Sequence, residues 1–76
     1  MLTASELPVG IMAEIKSIAN SPIQDKLAAM GCVPGTIICL EFVAPAGDPM
    51  AFNIEGYLLG LRKDEACLLE VIILEK

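Results

Sequence analysis

Between Met30 and Pro49 the chain, "MGCVPGTIICLEFVAPAGDP", sets three glycines and three prolines around one apolar run. That punctuation constrains the fold more than any other feature. Proline fixes φ and has no N–H to give, while glycine enters left-handed turns that other residues avoid. No long helix crosses such a stretch, and a strand within it must be short and bounded by turns. Val33-Pro34-Gly35-Thr36 fits a type II turn, with proline second and glycine third. It launches a strand over Thr36–Ala44. "APAGDP" then ends that strand, because its prolines cannot join a hydrogen-bond ladder.

The flanking segments follow the same plan. From Gly10 to Ala19 apolar and polar residues alternate, predicting a half-buried strand with Ile11, Ala13 and Ile15 on one face and Glu14 and Lys16 on the other. In "NSPIQDKLAAMG", Ser21 is a suitable N-cap, Pro22 suits the first helical position, and Gln24 completes a capping box. The spacing predicts a helix over about residues 22–30, with Ile23, Leu27 and Met30 on one stripe and Gly31 as its left-handed stop. A second strand is expected from Met50 to Gly56, with a bend or bulge at Gly56. A third follows over Tyr57–Leu61. "RKDEA" reads as a charged turn, and "CLLEVIILE" as the last strand. The expected fold is mainly β: a small antiparallel barrel of five or so strands with a short inserted helix, one domain over residues 1–76.

Seventy-six residues is near the lower limit for a self-sufficient core, and a hydrophobic content of 55% compensates for it. The apolar stretches are interrupted by Glu41, Glu55, Arg62 and Glu70, and none approaches the roughly 18 residues a bilayer requires. "MLTASELPVG" has neither the basic start nor the apolar run of a secretory signal. A cytoplasmic protein without membrane insertion is expected. Its net charge of −5 argues against nucleic acid, which needs a basic stripe to displace counterions.

Histidine is absent, so a His-based triad or acid–base pair is excluded and no enzyme activity is expected. Asp64 and Glu65 read as a solvated cluster in a turn, and Asp48 as a cap on its own loop. Cys32, Cys39 and Cys67 are odd in number and widely spaced, which reads as three packed thiols. Ferrous iron would accept thiolate and carboxylate ligands, but this spacing has no metal-loop signature, so neither a metal site nor a cofactor is expected. Arg62 could reach a partner's nucleotide as a charge-stabilising finger or pair with a local carboxylate, the commoner use of a lone arginine after a strand. A proline-peptide groove needs aromatic walls, and Phe42 and Phe52 are expected in the core instead.

The order of these signals resembles the FeoA family of ferrous iron transport proteins. The likeness runs from about Leu7 to Val71 and is carried by Met-Gly-x-x-Pro-Gly-Thr (30–36), Ala-Pro-x-Gly-Asp-Pro (44–49) and Leu-Arg-x-x-x-Ala (61–66). The resemblance implies an SH3-like barrel in the cytoplasm, working as an accessory beside a FeoB-type membrane transporter that has a GTPase domain. Contacts with that partner are then expected at the helix end, Leu27, Met30 and Gly31, at Ala44, Pro45, Asp48 and Pro49 of the loop, and at Arg62. The alternative is a free-standing SH3-like regulatory or metal-binding domain related to the C-terminal domain of iron-dependent repressors.

A last expectation comes from the strands alone. Ile38, Leu40 and Phe42 suffice for the interior, while Ile37, Cys39 and Val43 beside Glu41 leave a second apolar face. Leu69, Val71 and Ile73 can likewise point inward, leaving Leu68, Ile72 and Leu74 outside. A barrel this small cannot bury both faces. Self-association is therefore expected through Ile37, Cys39, Val43, Leu68 and Ile72.

Overall fold

Alternation builds the first strand, β1 (Met12–Ile18), in which Ala13 and Ile15 are fully buried. Ile11 does not join them. It closes a turn with its N–H on Pro8 O at 3.4 Å, so the strand period starts one residue later and Ile11 stays exposed. The computed structural model describes residues 2–74; the Glu75 end of the expected last strand lies outside the described residues. Ahead of β1, a short 3-10 turn over Ala4–Glu6 packs Ala4 into the core and pairs Thr3 with Glu70.

The helix α1 is Gln24–Ala29, two residues shorter at its start than the spacing predicts. The Ser21 hydroxyl oxygen accepts the N–H of Ile23 at 3.1 Å, and the Ser21 carbonyl accepts that of Gln24. Pro22 and Ile23 thus form an entry turn, not the first helical turn. The stripe is as expected: Leu27 is fully buried, with Ile23 and Met30 packed against the core. Gly31, at φ +96°, ends the helix. Cys32 N–H reaches Leu27 O and Gly31 N–H reaches Ala28 O, both at 3.0 Å, the paired bonds of a Schellman stop. The type II turn follows, closed by Thr36 N–H on Val33 O at 3.1 Å.

Strand β2 (Ile37–Val43) buries Ile38 and Leu40 but not Phe42, which is 54% exposed. The cause is a bulge at Glu41. Leu40 opposes Phe52 while Phe42 opposes Ala51, so two residues of β2 face one step of β3 (Met50–Ile54). Past the bulge the parity reverses. Phe42 turns outward, and Val43 shares the side of the buried Met50 opposite it but, at the strand end, stays 38% exposed. Both assignments run against the simple alternation.

β3 returns directly as β4 (Tyr57–Leu61) through the two-residue turn Glu55-Gly56. Gly56 is therefore part of a tight hairpin, not a bulge within a strand. "KDEA" is a single helical turn, α2 (Lys63–Ala66), not a loop, because Glu65 Oε1 accepts the N–H of Arg62 at 2.9 Å and Ala66 is buried beneath it. It leads to β5 (Leu69–Ile73), which pairs with β1. Leu69 and Val71 point inward; Ile73 keeps that register opposite Ala13 but stands at the end of an edge strand and is 44% exposed.

The order β4-β3-β2-β1-β5 is antiparallel throughout. The sheet curls around one core centred on Phe52, Ile15, Leu27, Ile38, Leu40 and Ile54. Among the described residues no helix is long and apolar enough to cross a membrane.

Candidate functional site

Loop geometry decides which expected contact residues share a surface. The Ala44–Pro49 segment turns through Gly47, whose N–H donates to Ala44 O at 2.8 Å, and closes with Ala44 N–H on Pro49 O at 3.1 Å. Asp48 does not cap its own loop. Its Oδ1 accepts the N–H of Lys63 at 2.6 Å, a charge-assisted bond that ties the loop to the first turn of α2. Pro49 lies beside Gly60, where an added Cβ would stand 3.8 Å from the ring. Pro45, Asp48, Pro49, Arg62 and Lys63 are all exposed, and Ala44 is half-buried. Arg62 Nε sits 3.8 Å from Asp64 Oδ1, both side chains open to solvent, so the local pairing is the one observed.

The helix end lies elsewhere. The Tyr57 hydroxyl, at the start of β4, donates to Met30 O, and Gly31 lies so close beneath it that an added Cβ would meet the phenol oxygen at 2.9 Å. Lys26 pairs with Glu65 at 3.4 Å along the flank. The loop meets β4 at Gly60, the helix end at Tyr57. The three steps of strand from Tyr57 to Gly60 put about 10 Å between them. The two expected docking segments thus belong to separate patches. Leu27 belongs to neither: it is fully buried, because its position on the stripe that packs the core also removes it from any partner.

The cysteines scatter. Cys32 is in the core, where burial pushes its thiol up. Cys39 is half-buried on β2; burial and then the charge of Glu41 push its thiol up, against a hydrogen bond from the Gly10 backbone. Cys67 is exposed after α2, its Sγ donating to Asp64 O at 3.1 Å. Among the described residues no three Cys, Asp or Glu side chains converge as a metal ion would require.

The outward face of the sheet is largely apolar. Register places Leu58, Asn53, Cys39 and Met12 in one row, Ile37, Glu14 and Ile72 in another, and Phe42, Ala51 and Gly60 in a third. Of the residues expected for self-association, Ile37, Cys39 and Ile72 are on this face. Val43 is on the other side of the bulge, and Leu68 precedes β5 and packs against the core. Phe42, Leu58, Tyr57 and Met12 are among the exposed apolar residues the spacing did not single out. The tight Glu55-Gly56 turn was the one signal that could have placed Tyr57 and Leu58 at an edge.

The FeoA domain family model matches residues 2–73. No curated protein matches the chain. Among solved structures, the FeoA protein from Chlorobium tepidum is 37% identical with a TM-score of 0.89, over 97% of this chain and 71% of that one. The FeoA-like protein from Clostridium acetobutylicum is 36% identical with a TM-score of 0.91, over 99% and 88%. Stenotrophomonas maltophilia FeoA, crystallised with zinc and described as a prokaryotic SH3 domain protein and candidate ferrous iron transport activating factor, is 27% identical with a TM-score of 0.83, over 95% and 91%.

Proposed function

The chain belongs to the FeoA domain family, and from that premise we propose that it is a cytoplasmic accessory protein of ferrous iron transport, docking on a FeoB-type membrane transporter with a GTPase domain. It acts by protein contact and not by catalysis. One observation carries the reading: Asp48 fastens the Ala44–Pro49 loop to α2 by its bond to Lys63, so that Pro45, Asp48, Pro49 and Arg62 stand together on a rigid barrel. Loops held this way are the usual contact elements of small β domains.

The helix end, Met30 and Gly31, forms a second, smaller contact with Tyr57 at its rim. Iron is the transporter's cargo in this scheme. The thiols are scattered, and burial pushes those of Cys32 and Cys39 up, which disfavours the thiolate an iron ion would take. Pull-down of the transporter's cytoplasmic domain tests the proposal. Wild type should retain it, while Asp48→Ala and Arg62→Ala, both at exposed positions, should reduce retention and Ile72→Ala should not. Equal retention by all four proteins, or none by wild type, would remove the support for this surface.

A further inference from the structure

The free edge of β4 is built to pair. Glu55 and Gly56, with φ of 51° and 96°, form the type I′ turn of a two-residue hairpin. Such a turn makes Ile54 and Tyr57 a hydrogen-bonded pair, and the alternation of an antiparallel ladder then commits Leu59 and Leu61 to β3 as well. The N–H and C=O groups of Leu58 and Gly60 point the other way. Among the described residues nothing pairs with them, since β4 has β3 as its one neighbour in the sheet. Edges are ordinarily blunted by a charge, a proline or a covering element. "YLLGL" has no charge and no proline, Leu58 is 55% exposed, and Gly60 is exposed too.

We propose that this edge pairs antiparallel with the same edge of a second copy, about a two-fold axis at Leu59, joining two five-stranded sheets into one. Three observations select a second copy as the occupant. Centred on Leu59, the pairing sets Leu58 against Gly60 of the second copy and Gly60 against its Leu58. All the unpaired edge groups are then satisfied in reciprocal bonds, as an isologous contact demands. The side chains agree. Leu58 of each copy projects over a gap that Gly60 and Ala51 leave open in the outward face, with Pro49 and Phe42 as its walls.

Charge gives the third and most selective argument. The same register brings the Glu55-Gly56 turn of one copy to the end of the other's β4, where α2 begins, so Glu55 of each copy approaches the oppositely charged Lys63 of the second. Among the described residues neither side chain has an ion-pair partner within its own chain. A parallel pairing would set Glu55 against Glu55 and Lys63 against Lys63. The contact runs along the β4 edge and not the β2 and β5 face expected for self-association, and it borders the proposed docking loop at Pro49.

Sedimentation equilibrium of the purified chain, with amide exchange followed by NMR over the same concentrations, tests it. A monomer–dimer equilibrium is expected, with exchange at Leu58 and Gly60 slowing as the dimer fills. Leu58→Glu should raise the dissociation constant about tenfold or more, with the circular dichroism unchanged. Lys63→Glu should weaken the dimer, and Lys63→Glu combined with Glu55→Lys should restore it. A monomer at every concentration overturns the proposal. So does a dimer indifferent to Leu58→Glu, or one whose Leu58 and Gly60 amides stay unprotected, because association then uses another face. Failure of the double charge swap to restore pairing overturns the antiparallel register.

Discussion

The two ends of the β3–β4 hairpin are built on different plans. At the turn end every part is fixed by close neighbours: Asn53 Oδ1 accepts the Gly56 N–H at 3.1 Å, the Schellman bonds stop α1, and the Tyr57 hydroxyl bolts the helix end to the strand. At the loop end, Ala44–Pro49 is mostly exposed, closes on itself by two backbone hydrogen bonds, and is tied to the rest of the fold by one carboxylate reaching a backbone N–H 15 residues further on. Interlocking contacts make the first end expensive to change. A single tie to the rest of the fold leaves the second end freer to vary in sequence.

Gly31 and Gly47 offer the sharpest test, because both have φ of +96° and differ in what surrounds them. Alanine at either position meets the left-handed strain, about 1–2 kcal/mol. At Gly31 the new Cβ also strikes the Tyr57 hydroxyl, whereas at Gly47 it meets nothing within 4 Å. Urea unfolding should show Gly31→Ala as the more destabilising, by about 1 kcal/mol or more beyond Gly47→Ala. Equal losses would break the comparison. Tyr57→Phe comes next: it should cost about 0.5–1.5 kcal/mol by itself, and combined with Gly31→Ala it should cost less than the sum, since the hydroxyl that clashes is gone.

The smallest effect is alkaline. In the unfolded chain Cys32 takes its ordinary pKa of 9.0, while burial raises it in the fold. Below pH 9 both states hold the proton and stability is unaffected. As the pH climbs past that value the unfolded state ionises first, so stability falls until the folded thiol ionises too. Cys32 belongs to the helix stop at the turn end and the loop end has no thiol. The urea midpoint should therefore decline above pH 9, and Cys32→Ala should flatten the decline whatever its own cost at neutral pH.

Legibility in the sequence follows the same division. The stop at Gly31, the type II turn before Thr36 and the buried stripe of α1 were all readable, because each rests on residues within a few positions of one another. Asp48 was not, because its partner is chosen by folding and its position between glycine and proline suggests only a local cap. α2 escaped notice since four residues show no helical period. Phe42 and Val43 were set on the wrong sides because alternation assumes an unbroken ladder, and nothing in "CLEFV" announces that Glu41 has no opposite number. Of the expected contact residues, those of the loop and Arg62 lie near one another at the α2 end of the hairpin. Leu27 was lost to the core by the very periodicity that identified the helix.

The Glu41 bulge also divides the strand into two scripts with separate readers. Below it, even-numbered residues answer to the interior; above it, the parity is reversed, with Phe42 outward and Val43 on the side of Met50. A lengthening or shortening by one residue at this point would exchange Phe42 and Val43 between the two audiences and leave Ile38 and Leu40 where they are. The upper margin of the barrel can thus be rewritten by a change of count alone, without a single substitution in the words that hold its centre together.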